Sequence, residues 1–261
     1  MNTSSDTLKI TPGKMDFRAY SISWNLTKRC NLNCDHCYLD ADFRGGFRTD
    51  ELNTNECKKV VDQIAEVNPN AFLILTGGEP LLRPDIYELI RYAADKKFMV
   101  VLGTNGTLIN EANAKKIKAA GAHGVGISID SMDATKHNKF RGVTGAWEHS
   151  MEAFNILNEV GVDFLIQMSV SDMNYREIPD VVAFTEKIGA IAFNLYFLVC
   201  TGRGQGNTDI SNEAYEEALK MLYEQQMKYK GRLMINSKCA PQYKRVVYEN
   251  DPDSVYTRTY S

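Results

Sequence analysis

The 261 residues contain no apolar run close to the roughly 18 that a membrane-spanning helix needs. The polar start, Met1 to Asp6, has no charged segment followed by an apolar core, so nothing there reads as a secretory leader. Excess basic charge is missing too: 30 Lys and Arg stand against 33 Asp and Glu, a formal net charge of -3. That excludes a bulk positive field for gripping nucleic acid, and neither nucleic acid nor membrane is expected as a partner. No internal repeat or low-complexity tract is visible. Cysteine is too sparse for a disulfide scaffold, with six in 261 residues, whereas stapled secreted domains are shorter and denser. With 44% hydrophobic residues, a chain of this length buries roughly three quarters of its unfolded surface and needs no staple. Together these absences predict a cytoplasmic globular protein.

From Tyr20 onward, short apolar and β-branched runs alternate with longer amphipathic stretches, the signature of βα units on a parallel sheet. Strands are predicted at Ser21–Leu26, Phe72–Thr76, Met99–Gly103, Gly124–Ile129, Phe164–Ser169 and Ala192–Val199. Helices are predicted at Thr54–Val67, Pro84–Lys96, Asn110–Ala120, Ala146–Val160, Tyr175–Ile188 and Asn212–Tyr229, with Pro84 at a first helical position and Gly121 and Gly161 as C-terminal caps. Six strands, each trailed by a helix through right-handed crossovers, predict an α/β fold. The expected architecture is an open (β/α)6 partial barrel of TIM type, short of the eight units that close one. The domain reading is a loose arm over 1–16, the barrel over 17–232 and an irregular extension over 233–261. That last stretch carries Pro241 and Pro252 without clear periodicity.

Three of the six cysteines crowd into one polar segment after the first strand, spaced C-x3-C-x2-C at Cys30, Cys34 and Cys37. In a reducing cytosol such a group is a metal or cluster site. Three thiolates from one loop can wrap a face of a 4Fe-4S cube and leave the fourth iron open to a substrate or cofactor. A zinc knuckle with His36 as fourth ligand stays open at this point, and with it a non-catalytic metal-binding module. Downstream, Leu75-Thr76-Gly77-Gly78-Glu79-Pro80 closes the second strand. Paired glycines let main chain approach a ligand, and the Glu79 carboxylate can accept from an ammonium. Thr104-Asn105-Gly106 and Ser128-Ile129-Asp130 end the next two strands at the carboxyl edge of the sheet, where ligands bind. Of Ser128 and Asp130, one is expected to point inward. Cys57 sits on an amphipathic helix and reads as a small buried apolar residue, and His123, His137 and His149 share no metal spacing.

These motifs resemble those of the radical S-adenosylmethionine (SAM) enzymes. Cys30, Cys34, Cys37 and Tyr38 match that family's cysteine pattern, with His36 in a slot that is usually aromatic, and Gly77-Gly78-Glu79-Pro80 resembles its GGEP motif. The likeness extends over about Ser21 to Phe197. It implies a 4Fe-4S cluster on Cys30, Cys34 and Cys37. It also implies SAM held by Tyr38, by Gly77 and Gly78 with Glu79 at its amino group, and by Asn105, Ser128, Asp130 and Arg141 at ribose or carboxylate. The implied activity is reductive cleavage of SAM to a 5'-deoxyadenosyl radical, with electrons from a donor such as flavodoxin or ferredoxin.

Phe197 to Gln205 ends the sixth strand in a T-G-R-G turn. The turn is similar to one in the radical SAM enzymes of haem d1 and alternative haem biosynthesis, which alter propionate and acetate side chains of iron tetrapyrroles. The resemblance implies a tetrapyrrole substrate, with Cys200 and Arg203 as candidate contacts and Arg203 pairing a carboxylate. A maturase of the SPASM type, acting on a peptide or protein side chain, is the alternative. Lys238-Cys239-Ala240-Pro241 resembles the start of the region that carries auxiliary-cluster cysteines in such proteins, so a second Fe-S cluster would use Cys239.

Overall fold

The computed structural model describes residues 21–46, 49–199, 201–205 and 210–257 of the chain. In order, its elements are β1 (Ser21–Asn25), β2 (Arg29–Cys30), β3 (Asp42–Phe43), α1 (Thr54–Val67), β4 (Phe72–Thr76), α2 (Ile86–Asp95), β5 (Met99–Thr104), α3 (Glu111–Ala119) and β6 (Gly124–Ser128). They continue with α4 (Ala134–Arg141), α5 (Ala146–Val160), β7 (Phe164–Val170), α6 (Ile178–Lys187), β8 (Ala192–Phe197), α7 (Asn212–Lys228), β9 (Met234–Lys238) and α8 (Tyr243–Asn250). Local chemistry starts several of these. The Asn53 side chain accepts from the Asn55 and Glu56 N–H groups, and the Glu56 side chain accepts from Asn53 N–H, a capping box that opens α1.

Seven strands pair in the order β1-β4-β5-β6-β7-β8-β9, every neighbour parallel, and the sheet curls into a half-barrel. Alternation along each strand gives the sheet two faces. Towards the helices, Leu73, Leu75, Val100, Leu102, Val125, Ile127, Ile166, Met168, Phe193 and Leu195 are at most 1% exposed. Each such side chain contributes about 1.5–3 kcal/mol of transfer free energy. The opposite face, inside the curl, carries Thr76, Gly103, Ser128, Gln167, Ser169 and Tyr196, which line a cavity. Sheet burial thus turns apolar residues outward to the helices and leaves shorter and polar ones at the mouth.

The expected strands are all present, with ends within two residues of prediction, and a seventh is added. The stretch from 233 on is not irregular throughout: β9 pairs with β8 from Ala192↔Met234 to Tyr196↔Lys238, and α8 follows. As an edge strand, β9 buries only alternate residues, Ile235 and Ser237, so its sequence lacks the apolar run that marked the others. Gln226 of α7 donates its Nε2 to Ile235 O at 2.8 Å, and Tyr243 of α8 donates its hydroxyl to Gln226 Oε1 at 2.8 Å, fixing strand and helix together. The arm expected over 1–16 lies outside the described residues. No helix among the described residues is long and apolar enough to cross a membrane.

Candidate active site

Beyond β1 the chain crosses the carboxyl edge of the sheet as the cysteine loop. Its stem pairs with the end of β4: Leu26 N–H donates to Thr76 O at 2.8 Å, Gly78 N–H to Thr27 O at 2.7 Å and Glu79 N–H to Arg29 O at 2.8 Å. A Cβ on Gly77 would stand 2.5 Å from Thr27 O, and one on Gly78 would stand 2.3 Å from Arg29 O. The glycine pair therefore admits the loop's own backbone on one side while lining the cavity on the other. Farther along, Asn33 N–H donates to Arg141 O and Asp35 N–H to Phe140 O, each at 3.1 Å, anchoring the loop on the C-terminal end of α4.

Cys30, Cys34 and Cys37 all line one cavity of about 520 Å³, within the range of roughly 300–1,000 Å³ typical of cofactor and small-ligand sites. None is in a disulfide. Each sulfur receives one donor: Leu32 N–H to Cys30 Sγ at 3.4 Å, Ala41 N–H to Cys37 Sγ at 3.4 Å and Arg141 Nη1 to Cys34 Sγ at 3.9 Å. Burial pushes the Cys30 thiol up to about 12 and raises Cys34 as well, despite Arg141 beside it. Thiolates at these positions require bound metal to supply compensating positive charge. The donor set thus fits a three-cysteine iron-sulfur cluster.

The zinc alternative fares worse. The His36 ring stacks on Phe140 with centroids 4.0 Å apart and planes 13° apart, and its Nδ1 is buried without a partner. Among the described residues, no three His, Cys, Asp or Glu side chains gather to hold a single metal ion. Burial, reinforced by Arg141, lowers the imidazole to about 3, so His36 is neutral, the form a metal ligand takes, and it lines the cavity. What weighs against zinc is the Phe140 stack and the absence of a gathered ligand set among the described residues.

The remaining expected SAM contacts divide in two. Tyr38, Gly77, Gly78, Asn105, Ser128 and Arg141 line the cavity with the cysteines. Glu79 and Asp130 are fully buried and do not line it. The Glu79 carboxylate accepts from Thr104 Oγ1 at 2.7 Å, Asn105 N–H at 2.9 Å and Leu81 N–H at 3.1 Å. It is therefore engaged inside the protein, where it holds the β5 end against the β4 end. Asn105 reaches onward, donating Nδ2 to Asn31 Oδ1 of the cysteine loop at 2.9 Å. Of the pair, Ser128, the last residue of β6, lines the cavity, while Asp130 lies beyond the strand end. Asp130 instead accepts from Arg141 Nε at 2.6 Å, Arg141 Nη2 at 2.9 Å and Ser169 N–H at 3.0 Å. Burial opposes both charges, yet Arg141 holds Asp130 below the usual carboxylate range, and Asp130 with Cys34 holds Arg141 above its own. Asp130 thus fixes the guanidinium that reaches Cys34. The Tyr38 hydroxyl donates to Asn25 Oδ1 at 2.9 Å, and the ring, 55% exposed, forms part of the mouth.

Arg203 and Cys239 also line the cavity, whereas Cys200 lies outside the described residues. The Arg203 guanidinium is engaged through two of its three nitrogens, while Nη2 is buried without a partner. Its Nε donates to Cys34 O at 3.1 Å and its Nη1 to Ala41 O at 2.8 Å and Asp40 Oδ1 at 2.9 Å. Sequence reasoning missed Gln167, Ser169 and Tyr196 on this wall. Their signal was a polar group on alternate positions of otherwise apolar strands, legible once those strands are known to curl. Cys57 is buried in the core, as expected.

Residues 24–185 match the radical SAM superfamily. The chain belongs to that family. Radical SAM proteins use a 4Fe-4S cluster and SAM. The chain is 39% identical over 230 residues to the AdoMet-dependent heme synthase of Methanosarcina barkeri, covering 87% of this chain and 63% of that protein. It is 35% identical over 189 residues to the pre-heme d1 synthase of Dinoroseobacter shibae, covering 71% of this chain and 45% of that one. Among solved structures, Streptococcus suis SuiB bound to precursor peptide SuiA superposes with a TM-score of 0.72 at 16% identity, over 87% of this chain and 51% of SuiB. That likeness carries the fold alone. The radical SAM chain described here spans 58% to 63% of the length of the haem synthases it matches.

Proposed function

We propose that this chain carries the SAM-cleaving half-barrel of an enzyme acting on an iron tetrapyrrole with carboxylate side chains. The observation that carries this reading is the 39% identity, over 87% of the chain, to a protein named for haem synthesis. Bound together, the cluster and SAM supply reductive cleavage of a carbon-sulfur bond, giving methionine and a 5'-deoxyadenosyl radical that abstracts hydrogen. In this reading Cys30, Cys34 and Cys37 hold the cluster. Gly77, Gly78, Asn105, Ser128 and Arg141 present backbone and side-chain polar groups to SAM, and Glu79 and Asp130 keep those groups in place. A flavodoxin or ferredoxin in a reducing cytoplasm is the proposed electron source. Cys239, exposed on the same cavity, is the ligand offered to a second Fe-S cluster.

The substrate side of the wall supports the same class. Tyr38, Leu39, Tyr196, Leu198 and Val199 present aromatic and aliphatic surface, suited to a flat apolar macrocycle. With Arg141 bound to Asp130, the cations offered to a substrate carboxylate are Arg203, through its unpartnered Nη2, and Lys238. Lys238 does not line the cavity itself, but it is half-buried beside cavity-lining Cys239, is the register partner of Tyr196, and has no ion pair among the described residues. Burial holds its ammonium below the usual range, a cost that a carboxylate partner offsets.

An anaerobic absorption titration of the reconstituted chain with an iron tetrapyrrole bearing propionates tests this. A saturable spectral shift is expected, with affinity weakened on the order of tenfold in Lys238→Met, the loss of one charge-assisted contact. Saturable binding of a peptide with no tetrapyrrole response would move the chain to the peptide-modifying class.

A further inference from the structure

We propose that Arg203 is a positioning residue for the cluster loop, so that the T-G-R-G turn clasps the metal site. The inference rests on the cluster reading of Cys30, Cys34 and Cys37 and goes beyond it. The turn, Gly202–Gln205, follows β8 and is separated from the cysteine loop by more than 160 residues of chain. Yet four bonds run from Arg203 to that loop. Its N–H donates to Cys37 O at 3.1 Å, Nε to Cys34 O at 3.1 Å, and Nη1 to Ala41 O at 2.8 Å and Asp40 Oδ1 at 2.9 Å. The acceptors bracket Cys34 to Ala41, the stretch that holds two of the three cysteines. Asp40 and Ala41 flank the amide that donates to Cys37 Sγ at 3.4 Å, so the clasp orients a donor to the cluster sulfur itself.

Two further observations converge. Asp40 has φ of 48°, in the left-handed region that aspartate adopts more readily than most residues, and its carboxylate is held by the Arg203 ion pair. Gly202, at φ 60°, lies so close that a Cβ there would stand 2.5 Å from Cys37 O and 2.6 Å from Tyr38 O. Only a planar guanidinium addresses carbonyls and a carboxylate in different directions at once, whereas lysine offers a single point charge. Leu198, Val199 and Thr201, immediately before the clasp, line the cavity. A substrate seated against them therefore presses on a segment directly continuous with the grip on the cluster loop.

The test uses the reconstituted chain and its variants Arg203→Gln, Arg203→Lys and Asp40→Asn, all anaerobic. Iron release to a chelator and the EPR spectrum of the reduced cluster, with and without SAM, are read beside tetrapyrrole affinity. Iron release is expected to quicken on the order of tenfold in Arg203→Gln and by less in Arg203→Lys and Asp40→Asn, in keeping with the loss of charge-assisted bonds. The EPR line shape should change in the same order, while thermal unfolding of the cluster-free chain stays near wild type. Wild-type iron release and EPR in all three variants, with only tetrapyrrole affinity reduced, would make Arg203 a substrate contact and overturn the proposal. A wild-type chain that takes up no iron would remove the cluster reading and this inference with it, an outcome distinct from the first.

Discussion

At Glu79, burial and hydrogen bonding pull in opposite directions. Three donors favour the carboxylate, but complete burial outweighs them and pushes the group from an ordinary 4.5 to about 7. Because the folded pKa is raised, the stabilisation is fully present below about pH 4.5 and is lost as pH climbs through about 7. The loss amounts to something on the order of 3 kcal/mol. Glu79→Gln removes the titration but turns an amide donor towards groups that already donate. The variant is therefore expected to be less stable than wild type by about 1–3 kcal/mol at pH 5, with the gap narrowing towards pH 8. Denaturant unfolding of the cluster-free chain at both pH values checks this, and parallel curves would contradict it. The residue type and its place after two glycines were legible in the sequence. Its direction was not, because a carboxylate beside a cavity and one buried beneath it are written with the same letters. Asp130 teaches the same point: two residues two apart on a strand would share a face, but β6 ends at Ser128, and Arg141, arriving from another element, holds Asp130 away from the cavity.

Between elements, the site is a set of close backbone approaches. The cysteine loop lies on the β4 end, on the α4 terminus and under the turn after β8, and each approach is fixed by short hydrogen bonds. Gly78→Ala places a Cβ where Arg29 O already stands, 2.3 Å away, so the loop stem must shift. A cost of about 1–3 kcal/mol in unfolding free energy is expected, together with impaired iron retention. Gly46→Ala is the matched control, since nothing lies within 4 Å of a Cβ there, and it should be near neutral. Equal behaviour of the two variants would show that the β4 contact does not set the loop. The Gly-Gly signal was visible in sequence, yet its reason was misread: the glycines accommodate protein backbone as much as ligand. The T-G-R-G turn was likewise visible, but its partner lies far away in the chain, and no local pattern reports a long-range clasp.

For the whole molecule, the half-barrel was legible because strands covered by helices must be apolar runs, and βα alternation fixes a parallel sheet. The seventh strand escaped because β9 buries only Ile235 and Ser237 and its five residues carry no apolar run. Among the described residues the sheet ends at β9, which brings Cys239 to the cavity that the three cysteines share. The chain's membership in the radical SAM family, its three thiols each with one donor, and the cavity they share converge on one claim: this half-barrel binds a SAM-responsive cluster. The most direct measurement is the EPR spectrum of the reduced, anaerobically reconstituted chain before and after adding SAM, with iron counted on the same sample. About four irons per chain and a signal that shifts on adding SAM are predicted, both lost in Cys34→Ala. Bound zinc without iron, or a cluster whose spectrum ignores SAM, would contradict the account.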